Sequence, residues 1–221
     1  MSQRFLNLIK HGATAEIASA AEEDASLVES RDAQGVSALL WAVYSRQPLI
    51  RDFLLSRLAH LDIFEASAVG DCARLQALLS QDASGVYQTS PDGWAALHLA
   101  AAFGGAAATS LLLEHGAHVH RVSRNPQRNQ ALHACVTISQ DAETARILIA
   151  QGADVNAAQT GGYTPLHQAA ANGNPELTLL LLESGADPGK LCDRGKSPLD
   201  YARERGHSQV ADLLARRYMP S

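Results

Sequence analysis

The sequence is poor in the residues on which several protein classes depend. It has only three cysteines in 221 residues, with no CxxC pair, so neither a disulfide framework nor a structural zinc site is expected. Aromatic residues make up only 5% of the chain, which favours packed helices over a β-sandwich. The longest aliphatic runs, such as the leucines at 179–182, are too short to span a bilayer. The net charge of −5 has the wrong sign for a general nucleic-acid binder.

The rest of the composition indicates an ordinary globular chain. Apolar residues account for 46% and charged residues for 19% of the total. Charged residues such as Arg4, Lys10 and Glu16 interrupt the first twenty positions, so no secretory signal is expected and a cytoplasmic location is predicted. The sequence contains no G-x-S-x-G, P-loop or H-E-x-x-H motif. We therefore expect neither an enzyme nor a cofactor-binding protein.

The strongest pattern is an internal repeat of about 33 residues. The stretch GYTPLHQAA at 162–170 recurs as GWAALHLAA at 93–101, and the leucines of four copies stand at positions 97, 132, 166 and 199. A second motif follows each copy, as in ILIAQGADVN at 147–156. A fixed period of this length indicates stacked supersecondary units.

The period, together with the TPLH and GADVN motifs, resembles the ankyrin-repeat family over about residues 5–215. The resemblance implies an all-α solenoid of stacked helix-turn-helix units with hairpin-like fingers, forming a single domain over residues 1–221. It also implies that the domain binds another protein without catalysis. The expected repeats lie at roughly 5–31, 32–60, 61–89, 90–123, 124–158, 159–191 and 192–217.

Residue chemistry at the repeat positions also predicts helices. Thr164 and Ser197 are good N-cap residues, each followed by a proline at the first helical position. The copies that have Ala95 and Gln130 at this position lack both features, so we expect softer helix starts there. Glycines are expected to turn each first helix into the second at Gly12, Gly70, Gly104, Gly173 and Gly206.

One spacing departs from the period. Leu39 and Ile63 occupy the same repeat position but are separated by 24 residues rather than 33. This leaves no room for a finger between the second and third repeats. We therefore predict five fingers and no hairpin at 58–62.

The recurring histidines are predicted to have a structural role. His98, His133 and His167 stand at one repeat position, which favours hydrogen bonds to the neighbouring backbone over catalysis. His118 and His120 are close in sequence, but no third convergent ligand is evident, so no metal site is expected.

Two cysteines have different expected environments. Cys135 replaces the alanine found at its repeat position and is expected to be a small buried residue. Cys192 lies at a finger base, where it could be exposed.

The resemblance places a partner on the concave surface formed by the finger tips and the ends of the first helices. Aromatic residues carry much of the binding energy at such surfaces. The alternative is that Trp94 and Tyr163 only pack across adjacent fingers. The candidate binding residues are Tyr44, Trp94, Phe103, Arg124, Arg128, Thr137, Tyr163, Asn172, Arg194 and Lys196.

Charge is distributed unevenly along the chain. Residues 115–140 contain no Asp or Glu but include Arg121, Arg124 and Arg128, whereas residues 1–80 hold seven basic and ten acidic residues. An acidic partner segment could be steered to these arginines. The alternatives are ordinary solvated charge and, less favoured, nucleic-acid binding. We expect a monomeric interaction module with no membrane role; a recruitment or effector subunit is the other reading.

Overall fold

The structure is a linear series of helix-turn-helix pairs. It is a computed structural model that describes residues 1–218. Within these residues, β-structure is limited to two isolated bridges, Arg31–Ser37 and Thr89–Ala95, so the predicted all-α class is confirmed. The helices are α1 (Ser2–His11), α2 (Thr14–Glu23), α3 (Ala38–Tyr44), α4 (Pro48–Leu55), α5 (Ile63–Val69), α6 (Cys72–Gln81), α7 (Ala96–Leu99), α8 (Gly105–Glu114), α9 (Ala131–Ala134), α10 (Ala142–Ala150), α11 (Pro165–Asn172), α12 (Pro175–Glu183), α13 (Pro198–Glu204) and α14 (Ser208–Tyr218).

Stacking of these pairs creates one continuous core. Each odd-numbered helix packs on the next odd-numbered helix, and the even-numbered helices form a second layer. The repeat leucines Leu39, Leu132 and Leu166 are fully buried between neighbouring pairs. A single pair cannot bury its own apolar face, so every repeat depends on its neighbours.

The inner helices of two repeats contain one extra residue. Gly173 follows Leu166 by seven positions and has a left-handed backbone (φ 68°), whereas Gly105 (φ 83°) follows Leu97 by eight. The helix accommodates the extra residue as a π-helical turn at Ala100–Gly104, which continues α7. A π turn is the form that a one-residue insertion takes within an α-helix.

The prediction that Gly104 turns the chain was therefore wrong. Gly104 has a right-handed backbone (φ −84°), and Gly105 takes the turning role one residue later. The fifth repeat has the same arrangement, with a π turn at Cys135–Ser139 and the left-handed residue at Gln140 (φ 55°). The extra residue explains why Leu132 and Leu166 are 34 positions apart rather than 33.

Five fingers project from the stack, as the spacing predicted. In each finger the first N–H donates to the last carbonyl oxygen, over 2.7–2.9 Å. The chain at 58–62 has no such hairpin and runs directly into α5. The fingers, numbered one to five, span residues 32–36, 90–94, 123–129, 159–163 and 192–196.

The first two fingers approach each other across the site of the missing one. A β-carbon at Gly35 would lie 3.2 Å from Cγ of Pro91 on the second finger. The Tyr44 hydroxyl donates to Oδ2 of Asp92 over 2.8 Å, joining the second pair to the same finger. The gap in the sequence pattern therefore brings two distant repeats into direct contact.

One apolar stretch has the length and composition of a membrane span. The stretch Ala96–Glu114 has a mean hydropathy of 1.6, and 56% of it is buried in the stack. Its backbone leaves helical geometry at Gly105 (φ 83°, ψ −173°), where the two helices of one repeat meet. The stretch is therefore a helix pair rather than one continuous rod.

Candidate functional site

An open cavity lies between the first and second fingers. Its volume is about 370 Å³, and four aromatic side chains line it, namely Trp41, Tyr44, Trp94 and Phe103. Three of these were among the predicted binding residues. The other lining residues are Gln34, Val36, Arg46, Asp92 and Ile138.

Helix α3 supplies two of the four rings. The Trp41 indole N–H donates to Oδ2 of Asp32 over 2.9 Å, which fixes the indole against the first finger. The Tyr44 ring lies 6.0 Å from the Trp41 ring, nearly perpendicular to it, and its hydroxyl is held by Asp92. Burial, reinforced by the charge of Asp92, raises the pKa of Tyr44 far above its ordinary value, so the hydroxyl remains a neutral donor.

The π turns and the second finger supply the opposite wall. Phe103 lies in the first π turn, with its ring 5.6 Å from that of Tyr44. Ile138 lies in the second π turn, where its carbonyl oxygen accepts a hydrogen bond from Arg46 over 3.1 Å. Tyr44, Phe103 and Ile138 each stand two positions before the left-handed residue of their repeat. The cavity wall is therefore one repeat position stacked along the solenoid.

Tyr163 and Lys196 lie in a second cluster, near the C-terminal end. The Tyr163 and Tyr201 rings are 5.8 Å apart, and their hydroxyl oxygens are 3.2 Å apart. Lys196 forms an ion pair with Glu204 at 2.6 Å. Tyr163 thus packs against α13 of the next repeat, whereas Trp94 lines the open cavity.

The predicted arginines are exposed on the fingers. Arg124 and Arg128 lie on the third finger and Arg194 on the fifth. Within residues 1–218, none of these three forms an ion pair.

The two remaining candidates lie at the ends of inner helices. Asn172 donates through Nδ2 to the backbone oxygens of Val136 and Thr137, over 3.0 and 3.4 Å, and so ties two repeats together. The Thr137 side chain is exposed beside Ile138, and it is Ile138 that lines the cavity.

The recurring histidines join each repeat to the next finger, which confirms their structural role. His98 Nε2 lies 3.0 Å from the backbone oxygen of Asn129 in the third finger. His133 Nε2 lies 3.3 Å from the backbone oxygen of Tyr163 in the fourth finger and 3.0 Å from that of Ala157, which precedes this finger. His167 Nε2 makes the same kind of contact at 3.1 Å. Burial lowers the pKa of His98 and of His133 to about 4, so both rings are neutral near pH 7 and donate through Nε2.

The second ring nitrogen has a different environment in each of the three repeats, and in the fifth, His133 Nδ1 accepts from the backbone N–H of Gln130 over 3.4 Å. His167 Nδ1 lies 2.8 Å from the Thr164 hydroxyl and accepts its proton. The residue corresponding to Thr164 in the fourth repeat is Ala95, and His98 Nδ1 is buried without a hydrogen-bond partner. One missing hydroxyl therefore leaves one buried acceptor unsatisfied.

Two of the three cysteines, Cys135 and Cys192, are buried. Cys135 is fully buried, as predicted, and burial raises the pKa of its thiol to about 12. The expectation that Cys192 could be exposed was wrong, because Tyr201 covers it with a hydroxyl 3.6 Å from the sulfur.

The histidines of the third finger base do not form a metal site in the described chain. The ring of His118 packs against that of Tyr87 at 5.3 Å. Among residues 1–218, no group of three or more His, Cys, Asp or Glu side chains is close enough together to hold a metal ion.

Six of the nine cavity residues were not among the predicted binding residues, namely Gln34, Val36, Trp41, Arg46, Asp92 and Ile138. A signal for Trp41 was present, because it stands two positions after Leu39, just as Tyr201 follows Leu199. Both rings face a finger, since that repeat position lies on the concave side. Ile138 also carried a signal, because it stands at the repeat position of Tyr44 and Phe103. Arg46 carried none, because its partner Ile138 is 92 positions away and the two residues meet only in the folded stack.

Comparison with known proteins identifies the repeat. The family model described as "Ankyrin repeats (3 copies)" matches residues 63–159 and 132–219, which together exceed two thirds of the chain.

Several curated proteins are similar over part of their length. The B-cell lymphoma 3 protein homolog of Mus musculus is 36% identical over 143 residues, covering 63% of this chain and 31% of that protein. The nuclear factor NF-kappa-B p105 subunit of Gallus gallus is 38% identical over 125 residues, covering 55% and 13% respectively. The potassium channel AKT1 of Oryza sativa subsp. indica is 38% identical over 87 residues, covering 39% and 9%. The chain thus spans less than a third of the length of each of these relatives.

Proposed function

This chain belongs to the ankyrin-repeat family, and from that premise we propose that it is a non-catalytic module that binds a partner protein in the concave groove between fingers and inner helices. The proposal includes a monomeric state and a cytoplasmic location. The observation that carries it is the aromatic cavity between the first two fingers, formed by Trp41, Tyr44, Trp94 and Phe103.

The cavity has the physical properties of a binding hot spot. Its four rings are half-buried, so a partner side chain would remove further apolar surface from water. Hot spots at protein interfaces are enriched in Trp and Tyr within pockets of this kind. The ring geometry is already fixed by the bonds from Trp41 to Asp32 and from Tyr44 to Asp92, so little conformational entropy is lost on binding.

The position and charge of the third finger support the proposal that the partner contains an acidic segment. The backbone N–H of Arg124 donates to the Gly93 oxygen over 2.7 Å, which places this finger directly beside the cavity. Arg124 and Arg128 are both exposed there. A partner seated in the cavity would therefore have two guanidinium groups within reach of its acidic side chains.

The test is affinity capture with matched variants. The double variant Trp94→Ala/Arg128→Ala removes one cavity ring and one finger charge. Tyr87→Ala/Arg57→Ala removes the same kinds of group from exposed positions outside the cavity. A partner lost by the first variant and retained by the second supports the groove, provided that both variants keep the native circular dichroism spectrum.

A second step measures the affinity of the captured partner. Truncation of a hot-spot aromatic residue costs about 2 kcal/mol or more, so Trp94→Ala alone should weaken binding roughly 30-fold in calorimetry. Retention of every partner by both double variants would contradict the groove assignment. If heparin or nuclease treatment releases the captured material, the chain would instead be binding nucleic acid.

A further inference from the structure

We propose that the aromatic cavity recognises an N-methylated lysine side chain of the partner segment. This inference rests on the proposed function and specifies the partner chemistry. The cavity combines four aromatic rings from two repeats, the second and the fourth, with a single carboxylate, that of Asp92. Aromatic rings arranged around a space attract organic cations because the face of each ring carries partial negative charge.

The rings form walls at different angles. Trp41 and Tyr44 are 6.0 Å apart with an interplanar angle of 78°, whereas Tyr44 and Phe103 are 5.6 Å apart at 36°. Trp94, on the second finger, is the fourth ring of the lining. A volume of about 370 Å³ is enough for an alkylammonium head and part of its aliphatic stem.

Two of the rings are polarised toward greater negative charge. The Trp41 N–H donates to the Asp32 carboxylate over 2.9 Å, and the Tyr44 hydroxyl donates to the Asp92 carboxylate over 2.8 Å. A hydrogen bond donated to an anion shifts electron density into the donor group. The protein already uses this property, because Nζ of Lys10 lies 3.5 Å from the centre of the Trp41 ring.

The hydrogen-bond inventory favours a methylated over an unmodified ammonium. Oδ2 of Asp92 accepts the Tyr44 hydroxyl, and Oδ1 accepts the Ser90 hydroxyl over 2.6 Å. An unmodified lysine brings three N–H donors that need acceptors, whereas a trimethylated one brings none. Methyl groups also contact the rings directly, so the desolvation cost is smaller.

Two cationic side chains oppose the ligand cation, namely Arg46 in the cavity lining and Lys10, whose Nζ already lies over the Trp41 ring. Arg46 is exposed, and its guanidinium donates to the Ile138 carbonyl oxygen over 3.1 Å. This like charge reduces the attraction that the rings and Asp92 provide. Its removal should therefore strengthen the binding of a cation and leave a neutral ligand unaffected.

The inference also gives the partner a charge pattern. Neighbouring helix pairs are about 10 Å apart, and an extended peptide advances about 3.3 Å per residue. An acidic side chain facing Arg124 or Arg128 would thus stand about three residues from the methylated lysine. The partner segment would combine one organic cation with a nearby acid.

The experiment uses the intrinsic fluorescence of the full chain. The sequence has two tryptophans, Trp41 and Trp94, and both line the cavity. The probes are choline and its neutral isostere 3,3-dimethylbutanol, followed by trimethyl-lysine and lysine as their N-acetyl amides, at constant ionic strength. We expect saturable changes with choline and trimethyl-lysine, and at least about threefold weaker binding of each counterpart.

Variants that keep both tryptophans test the assignment. Phe103→Leu and Asp92→Asn should each weaken choline binding at least about threefold, and Arg46→Gln should strengthen it. The matched control is Tyr201→Leu, which removes a ring from the C-terminal cluster and should leave choline binding unchanged. Thermal unfolding of each variant shows that it is folded.

Several results would overturn the inference. Equal binding of choline and 3,3-dimethylbutanol would show an apolar site without preference for cations. Equal binding of lysine and trimethyl-lysine would remove the methylation requirement, and no saturable change with choline would remove the site. None of these results bears on the capture experiment, which asks only whether removing a ring and a charge releases a partner protein.

Discussion

The inner helices of repeats four and five differ from those of repeats six and seven. In the sixth repeat, Thr164 caps α11, and Pro165 occupies its first position. In the fourth, Ala95 provides no side-chain cap, and α7 has only four α-helical residues before the π turn. The uncapped helices are therefore also the ones that carry an inserted residue.

The comparison extends to buried polar atoms. His167 Nδ1 accepts from Thr164, whereas His98 Nδ1 and the side-chain oxygens of Asn129 and Gln130 are buried without partners. All three unsatisfied atoms belong to repeats four and five, the repeats whose π turns supply Phe103 and Ile138 to the cavity. The repeats that hold these unsatisfied buried atoms thus also supply one wall of the candidate site.

Acidification should change the free energy of unfolding more than any of the substitutions below. It should act through His98 and His133, which lie in two repeats whose inner helices lack a side-chain cap. The pKa values of His98 and His133 are about 4 in the folded chain, below the ordinary 6.5. Below pH 6.5 these histidines become protonated in the unfolded chain, whereas in the folded chain they stay neutral down to about pH 4. The free energy of unfolding therefore decreases as the pH falls from about 6.5 toward 4. At about 1.4 kcal/mol per pKa unit, the total loss amounts to several kcal/mol.

Urea unfolding at pH 7, 5.5 and 4.5 measures this loss. The control is His133→Gln, which removes one of the two groups and should flatten the pH dependence. An unfolding free energy that stays constant over this range would show that burial does not depress these pKa values.

Truncation of the repeat leucine compares packing in the two regions. Leu132→Ala and Leu166→Ala should each cost about 2–5 kcal/mol, because both side chains are fully buried. If the π turn lets the fifth repeat collapse around the cavity that is created, Leu132→Ala will cost less. Denaturant midpoints of the two variants decide this, and a loss below about 1 kcal/mol at both sites would contradict the stacked core.

Removal of the Thr164 side-chain cap should lower the free energy of unfolding, because the sixth repeat would then lack a cap as the fourth does. Thr164→Ala deletes the oxygen that accepts from the His167 N–H and the proton donated to His167 Nδ1. The expected loss is about 1–2 kcal/mol in thermal or urea unfolding. Thr164→Ser, which keeps the hydroxyl, should recover most of it.

Addition of a side-chain cap at Ala95 should have the smallest effect of these changes, and it should raise the free energy of unfolding rather than lower it. Ala95→Thr places a hydroxyl at the start of α7, beside the unsatisfied His98 Nδ1. We expect a gain of about 0.5–1 kcal/mol in unfolding free energy. Ala95→Val has nearly the same shape without the hydroxyl, and equal stability of the two variants would rule out the hydrogen bond as the cause.

Much of the fold could be predicted because each repeat is governed by local chemistry. The leucine spacing and the caps at Thr164 and Ser197 predicted the helix pairs, and the short step from Leu39 to Ile63 predicted where a finger is missing. The turn at Gly104 could not be predicted correctly, because the alignment alone does not show that an inserted residue widens the helix into a π turn.

The sequence by itself determined the repeat, the helix starts, the five fingers and the structural role of the recurring histidines, because each depends on residues within one or two adjacent units. Only the tertiary structure decided that Cys192 is covered by Tyr201 and that Arg46 reaches Ile138. It also assembled four aromatic rings around one cavity. The cavity contacts depend on how closely the first two fingers approach across the gap, and the stacking of the repeats sets that approach. The contact between Tyr201 and Cys192 lies within one repeat and depends on how the fifth finger folds against α13.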